Sequence, residues 1–287
     1  MSAEDKKIMA LLRRFKGDAR EALRENKQLD ILYALAPLRE NVLEWYDFDP
    51  EARLLQIGAD FGALTGLFLR KTAGVTVADP DPEALELVQA RYSGAKNLAT
   101  VQTGKAGDAV ADKETGKAGG AVADKETGKA GKGGADSGEL RPGSFDYVTV
   151  IGTFLPGEGL EGQIRRAVSY LREGGTLLLA VQNRYGLKYL AGVAGDPVTA
   201  CREELLRLLP EAEIRYPMPD YRTASEIWSD SWQPTGADVA GMLPLYDFPR
   251  YPSVNVGAVF AAACRDGKFR DFADSYLAIW KKESRHG

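Results

Sequence analysis

The chain lacks several features that would define a function class on sight. Its 287 residues include two cysteines, Cys201 and Cys264, and one histidine, His286. Two cysteines cannot make a disulfide framework, and they read as ordinary buried thiols of a reducing cytoplasm, with a bridge between them the less favoured alternative. One histidine beside the final glycine reads as a tail residue rather than a catalytic base, and no His/Cys spacing predicts a metal site. No apolar run approaches the roughly 18 residues of a membrane span; the longest, 176–181 and 257–264, fall far short. The opening residues, MSAEDKKIMA, carry no signal-peptide core. A cytoplasmic protein without a membrane span is expected. Charge of one sign is lacking too: 37 basic against 41 acidic residues give a net charge of -4, with no basic surplus for gripping nucleic acid. The basic stretch 6–24 is flanked or interrupted by Glu4, Asp5, Asp18, Glu21 and Glu25, the pattern of a solvated helix face.

What is present is ordinary for a folded domain: 44% hydrophobic and 9% aromatic residues. The 31 glycines, however, are unevenly spread. Residues 105–116 (KAGDAVADKETG) and 117–128 (KAGGAVADKETG) are two copies of one unit differing at a single position, followed by a decayed third start. The stretch 105–140 has no aromatic and almost no large aliphatic residue. It cannot offset its ordering entropy by burial and reads as a disordered surface insertion. Without it about 250 residues remain, enough for one elaborated domain. In them helical and strand patterns alternate. Helices are expected at 4–26, at 29–45 with a break at Pro37, and at 64–71, 82–92, 162–172 and 199–209. Strands are expected at 53–57, 75–78, 145–151, 176–181, 214–216 and 275–280. This alternation predicts an α/β fold with a doubly wound, mostly parallel sheet, an N-terminal helical cap at 1–50 and an α/β domain at 51–282. Ligands of such sheets sit at the carboxyl ends of the strands.

The loop after the first strand reads Gln56-Ile-Gly58-Ala-Asp60-Phe-Gly62. Gly58 and Gly62 flank a tight turn where backbone can approach a ligand closely, and the second strand ends on Asp79, whose carboxylate can accept both hydroxyls of a ribose. A dinucleotide fingerprint would require glycine at 60 and 63, where Asp60 and Ala63 stand. The spacing Gly58-x-x-x-Gly62 instead resembles the first motif of the class I S-adenosylmethionine-dependent methyltransferases. Phe145-Asp-Tyr-Val-Thr-Val-Ile151-Gly152 resembles their fourth motif, and Arg172-Glu-Gly-Gly-Thr-Leu-Leu-Leu179 the opening of their fifth strand. Leu35-Ala-Pro-Leu-Arg39-Glu-Asn41, Asn183-Arg-Tyr-Gly-Leu-Lys188 and Tyr216-Pro-Met-Pro-Asp-Tyr221 resemble bacterial methyltransferase-domain proteins associated with glycosyltransferases and surface-polysaccharide clusters. The resemblance implies a Rossmann-like seven-stranded sheet with its last strand antiparallel, S-adenosylmethionine as cofactor, a small-molecule or glycan acceptor and a glycosyltransferase partner. It implies cofactor contacts from Gln56, Gly58, Ala59, Asp60 and Gly62, from Asp79 and Pro80, and from Ile151 and Gly152.

Two positions depart from the family pattern. Gln56 replaces an acid, and Asp60 replaces a glycine. Asp60 either narrows the pocket, sets a carboxylate against the cofactor's own, or supplies the charge that Gln56 lacks. A degenerate methyltransferase-fold scaffold for glycosyltransferases is therefore the alternative to an enzyme.

Methylation of an oxygen needs positioning and a base. Asp220 and Tyr221, in a proline-stiffened loop, are the candidate catalytic residues. Asn183, Arg184 and Lys188, after the fifth strand, are candidates for the acceptor, against a helix cap and two solvated cations. Arg39 and Glu40 are candidates for closing over the cofactor as a lid, with Arg39 also a candidate for the acceptor, against an ion-pair network inside their helix. Trp228 and Trp232 suit sugar stacking or packing of an insertion.

Overall fold

A computed structural model describes residues 3–26, 28–104, 140–155, 157–241 and 251–284. The repeat at 105–139 and His286 lie outside the described residues.

The helix expected over 4–26 is two helices. α1 (Ala3–Arg14) and α2 (Ala19–Glu25) are separated where Lys16 and Gly17 take positive φ, and Asp18 caps α2 by accepting from the backbone N–H of Arg20 and Glu21 at 2.9 and 3.1 Å. α3 (Leu29–Leu35) stops before Pro37, a 3-10 turn follows at Pro37–Glu40, and α4 (Asn41–Glu44) completes the N-terminal layer.

The strands then form one sheet. They are β1 (Arg53–Ile57), β2 (Gly74–Asp79), β3 (Leu98–Gln102), β4 (Phe145–Ile151), β5 (Leu171–Asn183), β6 (Thr199–Ala200), β7 (Glu213–Met218), β8 (Glu226–Ser229) and β9 (Ser275–Lys281). Their order is β3-β2-β1-β4-β5-β9-β7-β8, with β6 paired to β5. β1 to β5 are parallel neighbours, and β9 runs antiparallel to both β5 and β7. The expectation of seven strands with a reversed last one holds for the centre of this sheet. The sheet itself has nine strands: two-residue β6 lies beside the end of β5, and β8 folds back on β7 as an antiparallel edge. Because Thr199–Ala200 pairs as β6, the helix expected from 199 begins only at Arg202.

Side chains of successive strand residues point to opposite faces, and β5 shows the consequence. Leu177, Leu179 and Val181 join Leu55, Val148, Val150 and Tyr216 on one face, covered by α7 (Leu160–Tyr170). Leu178 and Ala180 join Leu54, Val75, Val77 and Leu277 on the other, covered by α4, α5 (Thr65–Lys71) and α6 (Pro82–Arg91). A third cluster, of Ile8, Met9, Leu12, Ile31 and Leu35, seats the N-terminal helices on Leu87 of α6 and on Phe61 of the β1 loop. No helix among the described residues is long and apolar enough to cross a membrane. Both cysteines are free and partly exposed rather than buried.

Candidate active site

Strand order reverses between β1 and β4, so their carboxyl ends open a crevice at the switch point. Gly58, at the end of β1, has φ +90°, and a Cβ built there would lie 2.3 Å from the Thr153 side chain. Gly152, at the end of β4, has φ +68°, and its Cβ would lie 2.1 Å from Tyr221 Oη. Only glycine serves at either position, because both backbone and space forbid a side chain.

The β1 loop is fixed from beneath by Gln56. Its amide donates to Gly58 O at 2.9 Å, and its oxygen accepts from Thr65 Oγ1 at 2.8 Å. Both polar ends of this buried side chain are thus spent on the loop, so it braces the turn rather than facing a ligand. Asp79 ties the loop to β2: one carboxylate oxygen accepts from Ala59 N and the other from Asp81 N, each at 2.8 Å. Burial raises its pKa against these two N–H bonds. Asp79 stays half-exposed and Pro80 beside it is exposed.

Asp60 and Phe61 both take the left-handed backbone conformation, at φ 42° and 53°. That geometry turns Phe61 into the N-terminal cluster and turns Asp60 to Arg39, with which it forms an ion pair. Arg39 is 6% exposed and stacks its guanidinium over Tyr33 at 5.6 Å. Burial works against the charged guanidinium, yet the Asp60 carboxylate holds its pKa above the ordinary value. The alternative of an ion-pair network inside the helix does not hold: Arg39 pairs with Asp60, and Glu40 pairs with Arg70 of α5 at 2.7 Å. Arg39 therefore belongs to the β1 loop rather than to the acceptor side.

Beside Gly152 lies a cavity of about 620 Å³. Phe154, Leu155, Leu160 and Val198 give it apolar walls, and Glu158, Gln182, Arg184, Asp196, Tyr221 and Arg222 its polar ones. Arg184 reaches it paired with Glu204 at 2.6 Å. Lys188 is fully buried, not solvated. Its Nζ lies 3.2 Å from Asp196, which also accepts from Tyr189 Oη at 2.7 Å and faces Arg222 at 3.5 Å. Burial pushes the pKa of Asp196 up, but Lys188 and its other partners hold it below the usual value. Asn183 is buried away from the cavity, where its amide donates to the carbonyls of Asp271 and Ala273 and its oxygen accepts from Tyr185 N. It caps no helix N-terminus and instead meets the C-terminal carbonyls of the short helix Phe269–Phe272.

The two candidate catalytic residues separate. Tyr221 lines the cavity and accepts from Arg222 Nε at 3.1 Å, while burial raises the pKa of its phenol. Asp220 is fully buried and accepts from Gln182 Nε2 at 3.1 Å and from the backbone of Arg222 and Thr223 at 2.8 and 3.2 Å. Trp228 packs inside edge strand β8 against exposed Trp232, and neither lines the cavity. Sequence reasoning passed over Gln182, Asp196 and Arg222. Gln182 alone carried a signal, a polar residue ending the apolar run of β5 at the ligand edge of the sheet. Among the described residues no cluster of His, Cys, Asp and Glu is arranged to hold a metal ion.

The architecture is that of the class I methyltransferase fold. A chain of the complex between the Haloferax volcanii Trm112 methyltransferase activator and a methyltransferase superposes with a TM-score of 0.50 over 96% of this chain and 98% of that one, at 14% identity. In sequence the chain is 26% identical over 214 residues to the ubiquinone biosynthesis O-methyltransferase of Xanthomonas campestris pv. campestris, covering 74% of each protein. No family model matches it. In fold and in sequence the chain is thus similar to S-adenosylmethionine-dependent methyltransferases of class I. The β1 loop and Asp79 fit that cofactor: a half-exposed carboxylate stands where a ribose would dock, and Arg39 offsets the charge of Asp60.

Proposed function

We propose that this chain transfers a methyl group from S-adenosylmethionine to an oxygen of a small molecule held in the cavity beside Gly152. A glycan precursor is the acceptor we favour, on the sequence resemblance. The reading is carried by one observation: Gly152 ends β4 beside the cofactor loop and also lines the cavity. The cofactor supplies an activated methyl on a sulfonium, a good leaving group. Asp79 holds the ribose, with Pro80 on the rim. The Gly58–Gly62 loop, braced by Gln56, approaches the cofactor with its backbone, Ile151 and Gly152 close the far side, and Arg39 takes the cofactor carboxylate. Tyr221 and Arg184 contact the acceptor, and Asp196 receives its hydroxyl proton; Lys188 acts by holding Asp196 in place. Apolar walls exclude water from the transfer.

Methyl-labelled cofactor incubated with the protein and a panel of hydroxylated sugars and phenols tests this directly. Label is expected in an ether product, and calorimetry is expected to detect S-adenosylhomocysteine binding. Heat without label transfer would reject the panel; no heat at millimolar ligand would sink the enzyme reading. One observation favours a second reading, a scaffold that serves glycosyltransferases: the family acid beneath the loop is here an amide with both ends spent internally. That reading requires absence of cofactor binding.

A further inference from the structure

Gln182, the last residue but one of β5, lies on the cavity wall and is only 2% exposed. Its amide nitrogen donates to Asp220 Oδ2 at 3.1 Å, while its oxygen, Oε1, is buried with no hydrogen-bond partner among the described residues. An acceptor left in this state costs stability, and buried polar atoms are satisfied in nearly all folds. Gln182 cannot escape by turning its amide over. Every contact of Asp220 is with an N–H donor, from Gln182, Arg222 and Thr223, so its oxygens act as acceptors. Turning the amide would set oxygen against oxygen and leave Asp220 short of a donor. Asp220 thereby fixes the orientation of the Gln182 amide and leaves Oε1 as its unpaired end.

We infer that Gln182 Oε1 is the specificity element of the acceptor site, accepting a hydrogen bond from a neutral hydroxyl of the acceptor, with Asp220 as the positioning residue behind it. This rests on the cavity being the acceptor site. It selects a hydroxyl-bearing acceptor over its own methyl ether, because an ether oxygen brings no hydrogen to Oε1 and leaves it unpaired. The finished product is disfavoured by the same atom, which helps its release. Phe154, Leu155 and Val198 beside Gln182 receive the carbon skeleton without competing for that bond.

The test loads the protein with S-adenosylhomocysteine and titrates two hydroxylated probes, catechol and methyl β-D-glucopyranoside, and their fully O-methylated counterparts. At least one hydroxylated probe should bind, about tenfold or more tighter than its ether. Gln182→Met should bring that probe down to the affinity of its ether, leaving the ether and S-adenosylhomocysteine as in the wild type. Asp220→Asn should move the hydroxylated probe the same way, since the asparagine oxygen stays on the N–H groups of Arg222 and Thr223 and its NH2 turns the Gln182 amide over. Equal weakening of probe and ether, an unaffected hydroxylated probe, or no wild-type binding of either hydroxylated probe at millimolar concentration would each overturn the inference. Failure to bind S-adenosylhomocysteine would instead remove the methyltransferase reading beneath it.

Discussion

Two aspartates at the carboxyl edge of the sheet are built alike and used differently. Asp79 ends β2 and Asp220 follows β7, and each accepts the backbone N–H two residues on, at 2.8 Å in both cases. Asp79 uses its second oxygen to pin the β1 loop through Ala59 and stays half-exposed. Asp220 is sealed and uses its second oxygen to orient Gln182. On the function proposed above, the same turn chemistry offers a carboxylate directly to the cofactor and an amide oxygen indirectly to the acceptor. Around Asp79 the polar groups of Gln56, Asp60 and Arg39 are matched within the protein, whereas around Asp220 one acceptor is left over at the cavity wall. A preformed cofactor site beside a discriminating acceptor site is the expected division of labour for a transferase whose cofactor is fixed and whose specificity lies in the acceptor.

The comparison breaks most visibly at Asp79. Asp79→Ala removes a ligand-facing carboxylate and the brace on Ala59 at once. S-adenosylhomocysteine affinity should fall about 100-fold or more, since hydrogen bonds to a charged group contribute roughly 1.5–3 kcal/mol each. Calorimetric titration reads it, and unchanged affinity would move the cofactor site elsewhere.

A smaller effect is expected at Asp60, and its sign decides between two roles. If Asp60 holds Arg39 for the cofactor carboxylate, Asp60→Gly should weaken S-adenosylhomocysteine about tenfold even though glycine relieves the left-handed backbone. Arg39→Gln should do the same. Neither change should alter binding of 5′-methylthioadenosine, which has the nucleoside and thioether but no carboxylate. Tighter binding on Asp60→Gly would show that this side chain obstructs the pocket.

The central architecture was legible in the sequence because it depends on local signals. Apolar runs ended by Gly58, Asp79 and Gly152 give β1, β2 and β4 together with their order of use. β3 escaped notice because all its residues are half-exposed and give little alternation, and β8 because Glu226–Ser229 is a short edge whose place is set by pairing with β7. The cofactor loop could be read for the same local reason: its residues are close in sequence. The acceptor cavity could not. Asp220 meets Gln182, and Asp196 meets both Lys188 and Arg222, through the packing of β5, β6 and the loop after β7. No sequence window holds those residues together. Asn183 and Lys188 were placed on the right edge of the sheet but in the wrong role, since sequence gives the strand end and not the direction in which a side chain is buried.

The mildest expected effect concerns Asp196, the carboxylate that the acceptor side keeps charged. Its folded-state pKa lies below the unfolded value of about 3.9. A depressed carboxylate pKa means that the unfolded chain binds the proton first. Its stabilising contribution is then present above about pH 4 and is lost as pH falls through the lower folded value. Asp196→Asn should remove that portion of the acid dependence, so that urea midpoints of the variant fall less steeply than those of the wild type below pH 4. At neutral pH the same variant should be less stable, because buried Lys188 loses a carboxylate partner. A variant with the same slope as the wild type would mean that Asp196 is not what couples this wall of the cavity to pH. Asp79 contrasts with it: burial raises that carboxylate's folded pKa, so at neutral pH Asp79 opposes folding where Asp196 supports it.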